Sequence, residues 1–332
     1  MVTPTPPGHP PVIAVLVADP AQRPSGLTSL ESRATFRYTD AAGLGDAVRG
    51  ADALLLWDFF SSALEGVWRH CDRLRWIHVA AAGVDKLLFP ELRASDVVVT
   101  NARGTFDRPI AEFVLASVLA HLKLFREGHD LQREHVWRHR ETLPLRGRSA
   151  LVVGAGNIGR EIARLLRAVD VEVTGAGRSA RTGDPDFGTV IASSDLATAV
   201  GAFDIVVNVT PLTESTRNLF DRKVFAAMKP SAYFVNVGRG ASVVEADLLA
   251  ALRSDELAGA ALDVFETEPL PADSPLWDEP TLTISPHLSG DSAGWLDTLA
   301  AQFVELARLW LDGEPLPHPV DKQLGFVRSA GG

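Results

Sequence analysis

Short apolar runs rich in β-branched residues alternate with stretches of helical period along the chain. Val12–Ala18, Ala53–Trp57, Trp76–Ala80 and Val97–Thr100 have strand length and strand composition. A second series begins at Ala150–Val153 and continues through Glu172–Thr174, Ile205–Val209, Tyr233–Val237, Ala260–Val264 and Thr281–Ser285. Strands separated by amphipathic segments predict βαβ units and parallel sheets. Between the two series, PIAEFVLASVLAHLKLFREG predicts a long helix with Pro109 in its first turn. A closing helix is expected to carry Leu296, Leu299, Phe303, Leu306 and Trp310 on one buried face and to stop near Gly313. Two α/β halves are the simplest architecture.

Composition narrows this picture. A chain of 332 residues, 46% hydrophobic and 22% charged, can give two domains a core each. A formal net charge of −10 argues against a nucleic-acid partner, which needs a basic face, yet allows a local basic pocket. The single cysteine, Cys71, cannot close an internal disulfide, so a reducing compartment is expected. The start, MVTPTPPGHPPV, is proline-rich and predicts disorder; it lacks the positive region of a secretory signal. No apolar run approaches the length of a membrane span. The expected location is the cytoplasm.

The segment SALVVGAGNIGREIARLLRAVDVEVTGAG has the strand–turn–helix–strand layout of a dinucleotide site. Gly154 permits the tight turn, Gly156 lets the backbone approach a pyrophosphate, and Gly159 lets helix pack on strand. Asn157 and Ile158 lie between these glycines and join the expected cofactor contacts. Ile158, Ile162, Leu165, Leu166 and Val169 make the helix's buried stripe. After the second strand an NAD site places Asp or Glu for the ribose 2′-hydroxyl; here stands Gly177, followed by Arg178, Ser179 and Arg181. Two guanidiniums without a carboxylate favour the 2′-phosphate of NADP(H) over NAD(H). The alternative is a solvated basic loop.

Three further side chains carry chemistry: Arg239 in NVGRG, Glu268 in DVFETEP and His287 in SPHLSG. AAAGVD, NARG…IAEFVLA, VGAGNIG, TPLTESTRNLF, MKPSAYFVNVGRG, ALDVFETEPLP and SPHLSG follow in one order. Together they resemble the D-isomer-specific 2-hydroxyacid dehydrogenases, the family of glyoxylate/hydroxypyruvate reductases, from about Trp76 to Asp321. The resemblance implies two Rossmann-like or flavodoxin-like domains with parallel sheets and an active site in the cleft between them. Residues 1–101 and 288–332 would form the substrate domain and 102–287 the dinucleotide domain, in a homodimer.

By the same resemblance, Arg239 holds the substrate carboxylate and polarises its carbonyl, His287 is the acid/base, and Glu268 is its partner. Glu266, the other glutamate of that motif, is expected to face solvent. Asp263 would orient the nicotinamide carboxamide, and Thr210 and Pro211 would line the cofactor. Ala82 and Gly83 would offer backbone N–H groups to the substrate carboxylate, although alanine at 82 makes this loop unusually small. The implied activity is NAD(P)H-dependent reduction of a small 2-oxoacid, such as glyoxylate or hydroxypyruvate, to the D-2-hydroxyacid. No metal is required. The alternatives are the same chemistry on larger 2-oxoacids, or a dinucleotide-sensing interaction protein like the family's corepressors.

Overall fold

The computed structural model describes residues 10–327, so the first nine residues of the proline-rich start, read as disordered, lie outside it. Contacts divide the chain into two compact units, Met1–Thr105 with Ala293–Gly332, and Phe106–Ser292. The crossings expected near Asn101 and near His287–Leu288 fall at 105/106 and 292/293 in this division.

In the first unit five parallel strands, β1 (Val12–Leu16), β2 (Thr35–Thr39), β3 (Ala53–Leu56), β4 (Trp76–Val79) and β5 (Val98–Asn101), lie in the order β2-β1-β3-β4-β5. Successive side chains on a strand point to opposite faces, so each strand feeds two cores. Ile13, Val15, Leu55 and Trp76 pack against Phe303, Ala307 and Trp310 of the C-terminal helix, Trp295–Leu311. Ala14, Leu16, Leu54, Leu56 and Ile77 pack on the other side with Leu44, Leu64 and Leu92. Leu296 was expected on the buried face of the C-terminal helix, but it is 45% exposed. Burial there begins one turn later, at Leu299.

The second unit holds β6 (Ser149–Val153), β7 (Glu172–Gly177), β8 (Arg181–Asp184), β9 (Gly188–Ala192), β10 (Ile205–Asn208), β11 (Tyr233–Asn236), β12 (Gly259–Leu262) and β13 (Leu282–Ile284). Their order is β13-β12-β11-β10-β6-β7-β9-β8, parallel except for β8, which runs antiparallel to β9. Leu151, Val206, Phe234 and Leu262 meet Phe220, Phe225, Leu248 and Leu252 in its core. The single helix expected over 109–128 is two, Asp107–Leu122 with Pro109 in its first turn and Phe125–Arg133, parted where Leu124 takes φ 55°. Among the described residues five strands are additional to those predicted: β2, β8, β9 and a short antiparallel pair, Val320–Asp321 with Phe326–Val327. Among the described residues no helix is long and apolar enough to cross a membrane.

Candidate active site

The glycine turn joins β6 to the helix Asn157–Arg167. Gly159 is buried there, and a Cβ on it would sit 1.9 Å from the Gly154 carbonyl oxygen, so no larger residue allows this helix so near its strand. Ile162, Ala163 and Leu166 complete the buried face. Ile158, Leu165 and Val169, expected in the same stripe, are only half-buried, and Val169 lies beyond the helix end. At Gly156 the situation is reversed: a Cβ would meet nothing within 4 Å. No side chain caps this helix N-terminus and no acidic residue occupies its first turn. Open space in front of the helix's first N–H groups, with no acidic residue in its first turn, fits a pyrophosphate.

Arg178 and Ser179 are exposed in the turn after β7. Arg181 is engaged elsewhere: its Nε and Nη2 donate to Asp184 Oδ2 at 3.0 and 2.9 Å. Strand β8 runs back from the edge at which β7 ends, so this pairing draws the Arg181 guanidinium along the hairpin. Asp184 also takes a bidentate pair from Arg160 at 2.9 Å, and that ion pair holds its carboxyl far below the usual carboxylate range. Asp186 receives Arg160 and Arg164, both at 2.7 Å. The β8–β9 hairpin is therefore a clamp on the glycine-turn helix, a role for Arg181 that the sequence reading did not anticipate.

Arg239 follows β11 in a half-buried loop. Its position is fixed by main-chain packing: a Cβ on Gly240 would lie 1.8 Å from the Phe265 carbonyl carbon and 2.4 Å from Glu266 N. The second glycine of the Gly-Arg-Gly sequence thus seats the arginine loop directly on the Phe265–Glu266 peptide. From the other side Glu245 and Glu266 exchange backbone bonds, Glu266 N to Glu245 Oε1 at 2.6 Å and Glu245 N to Glu266 Oε1 at 3.1 Å. Burial pushes the Glu245 carboxyl up, and the charges of Glu266 and Glu268 add to the shift.

Glu268 emerges from this supported turn. Its Oε1 accepts from Phe265 N at 3.0 Å, and its Oε2 lies 2.8 Å from His287 Nδ1. An ionised carboxylate only accepts, so Nδ1 carries the hydrogen. The His287 side chain is 35% exposed and that of Glu268 26%, so the pair is in reach of water. His287 has φ 54°, in the left-handed region, at a cost of about 1–2 kcal/mol for a non-glycine residue. Asp263, 1% exposed, holds the same segment: Oδ1 accepts from Ser285 Oγ at 2.7 Å, Leu288 N at 2.9 Å and Ser289 N at 3.1 Å. Burial pushes the Asp291 carboxyl up while the charge of His287 draws it down. Neither Glu245 nor Asp291 was singled out in the sequence; each lies within a few residues of a motif but carries no spacing that marks it.

Thr210 is buried after β10 and donates through N and Oγ1 to Asn208 Oδ1, at 3.2 and 2.9 Å. Asn208 Nδ2 in turn donates to Asn236 Oδ1 at 2.9 Å, tying the ends of β10 and β11 together. Pro211 is exposed beside it. Ala82 and Gly83 belong to the first unit, in the loop after β4, where Asn101 Nδ2 donates to the Ala82 carbonyl. Among the described residues no group of three or more His, Cys, Asp or Glu could hold a metal ion.

Comparison with known proteins matches residues 115–289 to the family described as D-isomer specific 2-hydroxyacid dehydrogenase, NAD binding domain. Glyoxylate/hydroxypyruvate reductase A of Serratia proteamaculans is 30% identical over 262 residues, 76% of this chain and 82% of that protein. A D-isomer specific 2-hydroxyacid dehydrogenase family protein of Aeromonas salmonicida superposes with a TM-score of 0.81 at 32% identity, covering 95% of this chain and 100% of that one. The NADPH-dependent glyoxylate/hydroxypyruvate reductase of Sinorhizobium meliloti, solved with NADP and sulfate, gives 0.78 at 30% identity, covering 96% and 100%. The family match and these relatives, beside a glycine turn with room for a pyrophosphate and a histidine–glutamate pair, show that the chain belongs to the D-isomer-specific 2-hydroxyacid dehydrogenase family.

Proposed function

We propose that the protein reduces a small 2-oxoacid to the D-2-hydroxyacid with NADPH, with glyoxylate and hydroxypyruvate as first substrates. The observation that carries this reading is the 2.8 Å contact between His287 Nδ1 and Glu268 Oε2, on a turn against which the Arg239 loop is seated. Arg239 binds the substrate carboxylate through its planar fork and polarises the adjacent carbonyl. His287, with Nδ1 committed to Glu268, gives a proton from Nε2 to the carbonyl oxygen and recovers it in the oxidative direction. Glu268 stabilises the charged ring and holds its orientation. A bound reduced nicotinamide supplies the hydride.

For the cofactor, Gly154, Gly156, Asn157, Ile158 and Gly159 take the pyrophosphate, and Thr210, Pro211 and Asp263 line the nicotinamide side. Arg178 and Ser179 receive the 2′-phosphate, with Arg181 adding positive charge from its place beside Asp184. Removing a charge-assisted contact of this kind costs about 1.5–3 kcal/mol, or about 10–10²-fold in affinity. Arg178→Ala should raise the KM for NADPH by that factor and leave NADH nearly unchanged, whereas Arg181→Ala should mainly lower stability. Equal effects of Arg178→Ala on both cofactors would contradict the assignment.

Phe125, Val136, Trp137 and Leu143 are large, exposed and close in sequence, and Trp137 is 99% exposed. An apolar surface of this kind supports a homodimer formed through the second unit. The direct test of the function is absorbance at 340 nm with NADPH or NADH and a panel of 2-oxoacids. Turnover ranked by kcat/KM identifies the substrate class. Cofactor binding with no turnover on any oxoacid would favour a sensing protein instead.

A further inference from the structure

The neighbouring strands β10 and β11 each end on an asparagine, Asn208 opposite Asn236. Both residues are fully buried, as is Ser242 in the turn that follows Arg239. A buried amide needs partners for two donor and two acceptor sites, and Asn208 fills all four. Its Oδ1 accepts from Thr210 N at 3.2 Å and from Thr210 Oγ1 at 2.9 Å. Its Nδ2 donates to Asn236 Oδ1 at 2.9 Å and to Ser242 Oγ at 2.6 Å. A peptide N–H can only donate, so Thr210 N fixes which way round the amide stands. Asn236 carries the connection onward: Oδ1 also accepts from Gly238 N at 3.1 Å, and Nδ2 donates to Arg239 O at 3.3 Å. Ser242 Oγ donates to the same carbonyl. The two loops served by this network also touch directly. A Cβ on Gly238 would lie 2.8 Å from Thr210 O and 3.0 Å from Thr210 N.

We infer that Asn208 is a positioning residue with two tasks: its oxygen places the turn of Thr210 and Pro211, and its nitrogen, through Asn236 and Ser242, places the main chain of Arg239. This rests on the proposed roles of Thr210 beside the cofactor and of Arg239 on the substrate carboxylate. Hydrogen bonds at Gly238 N and at the Arg239 carbonyl pin the segment on both sides of the arginine Cα, which sets the direction in which its side chain leaves the loop. Because Gly238 is seated on the Thr210 main chain, a shift of either loop displaces the other. One buried amide thus sets the spacing between the cofactor turn and the substrate-binding cation.

Two constants measured on the full chain separate the tasks: the Kd for NADPH by fluorescence titration, and the KM for glyoxylate at saturating NADPH. Asn208→Ala leaves buried groups of both loops without a partner, so it should raise both constants by about 10-fold or more. Ser242→Ala frees the Arg239 side alone. It should raise the KM for glyoxylate by about 5–10-fold and leave the NADPH Kd within about 3-fold of wild type. Asn208→Ser, too short to bridge both loops, takes the place of Asn208→Ala if that variant does not fold, and both constants should rise again. Either constant unchanged in a folded Asn208 variant, with only the unfolding midpoint lowered, would overturn the inference. A Ser242→Ala variant whose NADPH Kd rises as much as its KM would overturn it too. A wild type that binds NADPH but reduces no 2-oxoacid would instead overturn the proposed function, and the inference with it.

Discussion

His287 stands on a loop with a carboxylate at 2.8 Å and a third of its side chain exposed. His78 stands in the middle of β4, fully buried, with Nδ1 2.9 Å from Thr100 Oγ1 and its ring 5.6 Å from that of Phe303. Its Nε2 has no hydrogen-bond partner among the described residues. Burial pushes the His78 imidazole down to about 3. The residue type is the same, but only one of the two has a charge partner, access to water and a backbone turned to aim it. Chemistry at a histidine comes from those three conditions together; burial alone yields a core residue that acidity can turn against the fold.

The comparison can be broken at its strong end. His287→Ala removes a general acid and should lower kcat on a reducible 2-oxoacid by about 10²–10⁴-fold, while His78→Gln should change kcat less than about 3-fold. Similar losses in both, measured by NADPH consumption, would mean that the distinction is false. The support beneath Glu268 is the next target. Gly240→Ala forces a methyl into the Phe265 peptide, and overpacking of this kind costs about 1–3 kcal/mol. Denaturant titration should register the loss, and kcat should fall with it because Arg239 and Glu268 both move. An unchanged midpoint and rate would show that the loop yields without consequence.

At the weak end the sign follows from linkage. The unfolded chain binds a proton at His78 below its ordinary pKa of about 6.5, and the folded chain does not until about 3. The stability that depends on neutral His78 is therefore complete above pH of about 6.5 and is lost as pH falls, by about 1.4 kcal/mol for each pH unit. Unfolding free energies at about pH 7.5 and 5.5 should differ by about 1.4 kcal/mol more in the wild type than in His78→Gln. Equal differences would remove His78 as the cause.

Most of the fold was legible because its strands are apolar runs buried on both faces, as Ala53–Leu56 and Ile205–Asn208 are. Strand β8 was not: Arg-Thr-Gly-Asp has no apolar alternation, and its Asp184 is held by ion pairs to Arg160. Strand β2 had a weak signal in the alternation of Phe36 and Tyr38 with polar neighbours. At the site, side chains with distinctive chemistry stood out in their motifs, and Glu268 and His287 do meet. The supports did not stand out. Nothing in the sequence says that Gly240 lies on the Phe265 peptide, or that Asp263 binds the N–H groups of Leu288 and Ser289, because those contacts exist only after β11, β12 and β13 are aligned.

The central claim is that His287 and Glu268 act as one unit in proton transfer. A double-mutant cycle tests it directly: kcat on glyoxylate at saturating NADPH for the wild type, His287→Ala, Glu268→Gln and the pair. Residues that work as a unit are not additive, so the double variant should be no slower than His287→Ala, to within about 3-fold. A double variant whose loss equals the product of the two single losses would contradict the account.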